Sequence, residues 1–339
     1  MTVRIGFLGA GFIARYHAHQ LGAVDVDHQV VSVFDPAVHR AEKFAEWQSC
    51  ALAATVDELI EASDAVFICT WTSEHPAQLA AVTAAGRAVF CEKPLGVDLS
   101  TARQMAATVA AAGVVNMTGL VLRSQPALLA LRELIGDPTS GRIMNVVFRD
   151  DQYIPTQGMY RSSWRGERDK AGAGTLLEHS IHDLDILEWL CGPIATISAH
   201  THHFHGLDGI EDSVSVLARF VEGHSATLSS IWHDILDRPS LRRMEVFSER
   251  SLAVLEADDG PVTWQRDGDH GRLDDATLVP WLAQRGISPQ LAEEQFLDAV
   301  VAGGPSPTPT IADAVRPHVL ADAAYRSAAT GGAAIDVTP

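Results

Sequence analysis

Basic residues are scarce for the length of this chain: 25 Lys and Arg stand against 43 Asp and Glu, a formal net charge of −18 over 339 residues. Phosphate backbones are gripped by neutralising them with Lys and Arg, so this balance argues against a nucleic-acid partner. It argues against anionic membrane surfaces on the same ground and leaves room only for a local basic pocket. Cysteine is rare too. Cys50, Cys69, Cys91 and Cys191 are widely spaced and form no CxxC pair. That pattern is neither a disulfide framework nor a zinc site, and it predicts a reducing, cytoplasmic setting. Long apolar runs are missing: no stretch reaches the roughly 18 residues of a membrane-spanning helix. The apolar start at Ile5-Gly6-Phe7-Leu8 is broken by Gly6, Gly9 and Gly11, and reads as strand and turn rather than a signal peptide. Repeats and low-complexity linkers are absent as well. What is present is core-forming material, 47% hydrophobic and 20% charged, and at roughly 150 residues per domain the length predicts two domains.

Strands and helices alternate over the first third. Val3 to Leu8 is an apolar run ending in Gly9-Ala10-Gly11-Phe12-Ile13-Ala14, and a helical stretch follows to Leu21. Gln29 to Phe34 is the next strand, closed by Asp35-Pro36; then come a helix over 38–47, a short strand at Cys50 to Ala53 and a helix capped by Thr55. Ala65 to Cys69, a helix from His75 to Ala85, Ala88 to Cys91, an Ala-rich helix capped by Asp98 or Ser100, and Val114 to Met117 complete the set. Strands apolar throughout and separated by helices predict a parallel sheet covered on both faces, a doubly wound α/β domain of the Rossmann type.

The glycines fall between the first strand and the first helix, where a dinucleotide fingerprint belongs. Gly9 permits a tight turn, Gly11 lets the backbone approach a pyrophosphate, and Ala14 keeps helix and sheet close. Asp35 stands at the end of the second strand, where a carboxylate can bond a ribose 2′-OH and repel a 2′-phosphate. Pro36 follows it in place of a phosphate-binding Arg, although Arg40 lies one helical turn on. NAD is favoured over NADP.

From Gln125-Pro126 onward the pattern changes. A helix from Ala127 to Ile135 leads into alternating runs at 142–150, 194–204, 213–221, 225–233, 243–248 and 251–256, and helical segments at 291–302 and 311–328 finish the chain. These runs predict an α+β C-terminal domain with a large, mostly antiparallel open sheet. A helix from Leu176 to Leu190 interrupts the strands. On it Glu178, His182, Asp185 and Trp189 fall at helical spacing on one stripe. A carboxylate one turn before a histidine can tune that imidazole for acid–base work, and the same stripe can equally be a solvent-facing polar edge.

The sequence resembles the Gfo/Idh/MocA family of dinucleotide-dependent oxidoreductases almost end to end. The resemblance rests on the Gly9–Ala14 turn, on Val89-Phe90-Cys91-Glu92-Lys93-Pro94-Leu95, on Trp164-Arg165 followed by Gly172 to Asp185, and on the closing segments Phe296-Leu297, Pro307-Thr308-Pro309 and Ala324 to Ser327. It implies that Lys93 is the catalytic lysine beside the nicotinamide and His182 the general base, with Glu178 the third catalytic residue where the family more often has Asp. Cofactor contacts are implied at Gly9, Gly11, Phe12, Ile13 and Ala14, at Asp35, and at Thr70, Trp71, His75, Glu92 and Lys93. Lys93, Arg123, Trp164, Glu178 and His182 are the implied substrate contacts, and Asp185 closes the signature as a carboxylate with a structural role. Trp71 departs from the family's proline and adds a large ring. Ser180 and His179 also depart from the usual small or apolar residues.

Histidines 200, 202, 203 and 205 cluster on a predicted strand, but neither a neighbouring carboxylate nor a cysteine completes a metal site in sequence. No metal is expected, and the cluster is assigned to solvent or a subunit interface. The combined expectation is a Rossmann domain over 1–122 and a substrate-binding and oligomerisation domain over 123–339. The chain would move hydride between NAD and a secondary hydroxyl of a sugar, sugar derivative or cyclitol, as a dimer or tetramer. The rivals are a glycoside-cleaving or isomerising enzyme with transient oxidation, and a non-catalytic dinucleotide sensor.

Overall fold

A computed structural model describes residues 2–158 and 161–339. The chain divides into two compact units: residues 1–121 with 169–172 and 290–316 form the first, and 122–168, 173–289 and 317–339 form the second.

In the first unit β1 (Val3–Leu8), α1 (Phe12–Leu21), β2 (His28–Phe34), α2 (Val38–Gln48), β3 (Ala51–Leu52), α3 (Val56–Ala62), β4 (Ala65–Ile68), α4 (His75–Ala84), β5 (Ala88–Cys91), α5 (Leu99–Ala112) and β6 (Asn116–Thr118) follow in strict alternation. The strands are all parallel, in the order β3-β2-β1-β4-β5-β6. This is the doubly wound order, and its direction reverses between β1 and β4. Phe7, Phe67 and Phe90 stack across the three central strands with ring centroids 5.0 and 4.8 Å apart. Thr55 and Asp98 cap α3 and α5 by accepting the Glu58 and Thr101 amide hydrogens.

The second unit contains α6 (Pro126–Gly136), β7 (Ile143–Tyr153), the short α7 (Arg168–Ala171, which crosses into the first unit), α8 (Ile181–Cys191), β8 (Ile194–His202), β9 (Ser213–Phe220), β10 (Ser225–His233), β11 (Leu241–Ser248), β12 (Ser251–Leu255), β13 (Val262–Arg266), β14 (Asp269–Leu273) and α9 (Asp275–Ala283). The chain then forms α10 (Ala292–Ala302) in the first unit, α11 (Val315–Ala329), and β15 (Ile335–Asp336) on the edge of the second sheet. The nine strands run β14-β13-β12-β11-β7-β10-β9-β8-β15, antiparallel except for β7 with β10. Val146, Phe148, Val216, Leu228, Met244 and Val246 form the inner face and pack with Leu128, Leu131, Leu184 and Leu187 of α6 and α8. The outer face carries the exposed Val147, Leu217 and Phe247.

Three expectations need correction. The helix expected over 176–190 is not continuous. A wide π-helical turn over Thr175–His179 precedes Ser180, and α8 begins only at Ile181. Residues 290–316, expected with the second domain, pack with the first, because Phe296 of α10 sets its ring edge-on to Phe67 and Phe90 at 5.6 and 5.7 Å. The β13–β14 hairpin, α9 and β15 were not foreseen. The hairpin is short and polar, but its Asp267-Gly268 turn, with Gly268 at φ +74°, was a readable signal.

Candidate active site

The first unit gathers its candidate residues at the carboxyl ends of its strands. Gly9 and Gly11 follow β1, Asp35 follows β2, Thr70 and Trp71 follow β4, and Glu92 and Lys93 follow β5. Gly9 has φ +97°, and a Cβ there would lie 2.5 Å from the Cys69 carbonyl oxygen, so the turn itself demands glycine. Gly11 is different. Its φ is −77°, and a Cβ would meet no atom within 4 Å. The fold makes no demand for glycine at that position, whereas close approach of a pyrophosphate to the N-terminus of α1 would. Phe12 opens α1 largely exposed, Ile13 is half-buried and Ala14 is buried against the sheet. Asp35 accepts the amide hydrogens of Ala10 and Ala37, both at 2.8 Å, and so ties the glycine turn to the end of β2. These residues fit a dinucleotide.

Thr70 donates its hydroxyl to Gln78 at 2.7 Å, and the Lys170 ammonium lies 4.6 Å from the centre of the Trp71 ring. Two residues expected among the cofactor contacts are buried, with their polar atoms committed to the chain. His75 places Nδ1 3.1 Å from the Pro94 carbonyl oxygen and Nε2 3.3 Å from that of Thr70, and burial lowers its pKa. Glu92 places Oε1 2.8 Å from His17 Nε2 and accepts the Lys93 amide hydrogen through Oε2 at 3.2 Å. Both residues hold the turn that carries Lys93, which is itself half-buried.

In the second unit the π-helical turn sets the other candidates. Glu211, buried, accepts the amide hydrogens of Gly174 and Leu176 at 2.7 and 3.0 Å and the Tyr325 hydroxyl at 2.9 Å. Burial raises the Glu211 pKa against these bonds. The turn therefore starts from a fixed point. Glu178 sits on it, buried, and accepts from Arg165 Nε at 2.5 Å, while the Arg165 guanidinium lies 4.8 Å from the centre of the Trp164 ring. His182 lies in the first turn of α8 and is 9% exposed.

A buried ionic network grips the chain on either side of His182. Ser180 donates to Asp150 at 2.8 Å, and Asp183 accepts from Arg242 Nε at 2.7 Å. Arg242 also donates to Asp258 at 2.9 Å, and His179 lies 2.9 Å from Asp150. Burial pushes the Asp183 carboxyl up to about 7, opposed by Arg242 and reinforced by Asp150.

Arg123, expected at the substrate, makes a two-point ion pair with Asp185 at 2.8 and 2.5 Å. Trp189, the last member of the predicted stripe, lies under Arg132 at 4.5 Å and packs structurally. The histidine cluster does have carboxylates nearby, contrary to the sequence reading: His205 pairs with Asp212 and Asp234 at 2.7 and 3.2 Å. Among the described residues no group of three or more His, Cys, Asp or Glu is arranged to hold a metal ion, and no helix is long and apolar enough to cross a membrane.

His17, Glu293, Arg165, Glu211 and Arg242 belong to the site's surroundings without a place in any sequence motif's expected contacts. His17 carried a signal, since it interrupts the otherwise apolar buried stripe Ala14, Ala18 and Leu21, and a buried imidazole needs partners.

A doubly wound sheet with this glycine turn at its switch point defines a dinucleotide-binding domain. Residues 3–120 match the oxidoreductase family, NAD-binding Rossmann fold, and residues 128–253 match the GFO/IDH/MocA C-terminal domain. Inositol 2-dehydrogenase of Rhizobium meliloti (strain 1021) is 29% identical over 338 residues, 97% of this chain and 98% of its own. Trans-1,2-dihydrobenzene-1,2-diol dehydrogenase of Mus musculus is 32% identical over 242 residues, 68% of this chain and 69% of its own. Levoglucosan dehydrogenase, solved with NADH and levoglucosan, shares the fold at a TM-score of 0.87 and 20% identity, with 100% of both chains covered. The chain belongs to the Gfo/Idh/MocA family and is an NAD-binding oxidoreductase.

Proposed function

We propose that this protein oxidises a secondary hydroxyl of a cyclitol, sugar or sugar derivative, with Lys93 and His182 as its catalytic residues. The observation that carries the NAD half is the contrast between Gly9, which the turn requires, and Gly11, which it does not. The substrate class is supported by the relatives, whose names carry inositol and a dihydrobenzenediol. NAD, when bound, supplies the hydride acceptor.

The chain's own residues handle the proton and the charge. His182 takes the hydroxyl proton, and the Ser180–Asp150 and Asp183–Arg242 bonds fix the backbone on both sides of it. Lys93 places a cation beside the developing alkoxide. Glu178, on the π-helical turn just before α8, is the third catalytic residue and is itself oriented by Arg165. Trp164 and Arg123 complete the substrate contacts, with Arg123 held in place by its ion pair to Asp185. Phe12, Ile13, Thr70 and Trp71 are cofactor contacts, with Asp35 selecting NAD over NADP. In domain terms, residues 1–122 with the returning 290–316 bind the dinucleotide, and the remainder binds substrate and partner subunits.

Val147, Leu217 and Phe247 on the outer sheet face support association into dimers or tetramers. The four thiols, all unpaired in disulfides, support a cytoplasmic setting. NADH and NADPH formation against a panel of cyclitols and aldoses tests the proposal. It predicts stoichiometric NADH with at least one member; product cleavage without net NADH would move the assignment to transient oxidation.

A further inference from the structure

His17 lies three residues beyond Ala14 on α1 and is fully buried. Its Nδ1 is 2.5 Å from Glu293 Oε1 on α10, and its Nε2 is 2.8 Å from Glu92 Oε1 at the end of β5. Phe90 and Phe67 pack around the imidazole with ring centroids at 4.9 and 5.7 Å. An imidazole with both nitrogens against carboxylates is held as the imidazolium. Burial opposes that charge, but the bonds to Glu293 and Glu92 outweigh it and raise the pKa to about 9.

Such a cluster is a poor way to gain stability. Desolvating three ionic groups is expensive, and apolar side chains of the same volume would pack among these phenylalanines without that cost. What the cluster does provide is a single conformation for Glu92. One Glu92 oxygen faces His17 and the other accepts the Lys93 amide hydrogen at 3.2 Å. Gly119 closes the remaining side: a Cβ there would lie 2.7 Å from Glu92 Cδ.

We infer that His17 is a positioning residue for Lys93, acting through Glu92 with Glu293 as its counter-anchor. It fixes the peptide from which the Lys93 side chain departs, and the returning helix α10 is the part of the chain that completes the device. The inference rests on the reading that Lys93 acts at the reacting hydroxyl. Misplacing a reacting group by about 1 Å can cost on the order of 100-fold in rate, so a fixed turn matters here.

Lys43, Lys93 and Lys170 are the only lysines of the chain, so [13Cε]lysine labelling gives three resonances, and Lys93→Met assigns the one at issue. In the full-length protein, His17→Gln and Glu293→Gln should each move the Lys93 resonance and shift its titration midpoint by about half a unit or more, because the charge beside Glu92 changes. Lys43 should stay in place. A Lys93 resonance and midpoint unchanged in both variants would overturn the inference. If His17→Gln does not fold, the isosteric Glu293→Gln decides alone by the same criterion. Separately, NADH formation with myo-inositol that survives Lys93→Met would remove the catalytic reading of Lys93, whatever the resonances show.

Discussion

Asp185 holds Arg123 by two parallel hydrogen bonds, Nε and Nη2 each donating to its own carboxylate oxygen at 2.8 and 2.5 Å. The carboxylate is buried and the guanidinium only partly so, which makes the pair asymmetric. Arg123→Ala removes the two-point cationic partner of a buried carboxylate and should cost about 3–5 kcal/mol of stability. Asp185→Asn, which leaves a hydrogen-bonding partner in place, should cost less. Urea unfolding of the two variants checks the order.

Glu178 accepts from Arg165 Nε at 2.5 Å. Glu178→Asp restores the family's usual residue but withdraws the carboxylate by one methylene. Turnover should fall about 10-fold or more, with a smaller change in the substrate KM, because the loss is one of position. Steady-state kinetics with the best alcohol of the panel measures it.

The buried groups predict how stability varies with pH. His17 rises from 6.5 to about 9 against the opposition of burial, owing to Glu293 and Glu92. A folded-state value above the unfolded one gives stability that is complete below 6.5 and is lost as pH climbs through about 9. The loss should be roughly 3 kcal/mol. Asp183, lifted by burial from 3.8 to about 7, loses its contribution over that lower window with the same sign. Above about pH 4, where lowered carboxylates such as Asp137 are ionised in both states, urea midpoints should therefore fall toward alkaline pH. His17→Gln should flatten the alkaline part and Asp183→Asn the acid part.

Asp35 accepts two backbone amides of its own chain as well as being the candidate ribose contact. Asp35→Ala should raise the KM for NAD about 10-fold or more and bring the NAD and NADP efficiencies closer together. An unchanged preference for NAD would remove Asp35 from cofactor selection.

Much of this was legible in the amino-acid order, and the exceptions share a cause. The strand–helix alternation from Val3 to Thr118 is local periodicity, and right-handed crossovers narrow the sheet orders it permits. Gly9, Gly11 and Asp35 could be placed at the strand ends because those positions depend on chain neighbours. Glu293 as partner to His17, and Arg242 as partner to Asp183, could not. Each pairing spans a separation that only the folded chain closes. The apolar spacing of Phe296 and Leu297 marks a buried helix face without saying which core receives it. The π-helical turn at Thr175–His179 stayed hidden because Glu178, His182 and Asp185 also fit an ordinary helix. The start of that turn is tied to the remote Glu211, a partner that only the folded chain brings near.

The central claim is that hydride leaves a carbinol carbon while His182 takes the hydroxyl proton and Lys93 steadies the oxygen. Deuterium at the carbinol carbon of the best substrate follows this directly. The wild type should accumulate one deuterated NADH per ketone formed, and His182→Ala and Lys93→Met should bind NAD yet transfer label about 1,000-fold more slowly, as expected when an acid–base group or charge-stabilising group is lost. Full transfer by His182→Ala, or deuterium found back in a cleaved or isomerised product with no net NADH, would contradict the account.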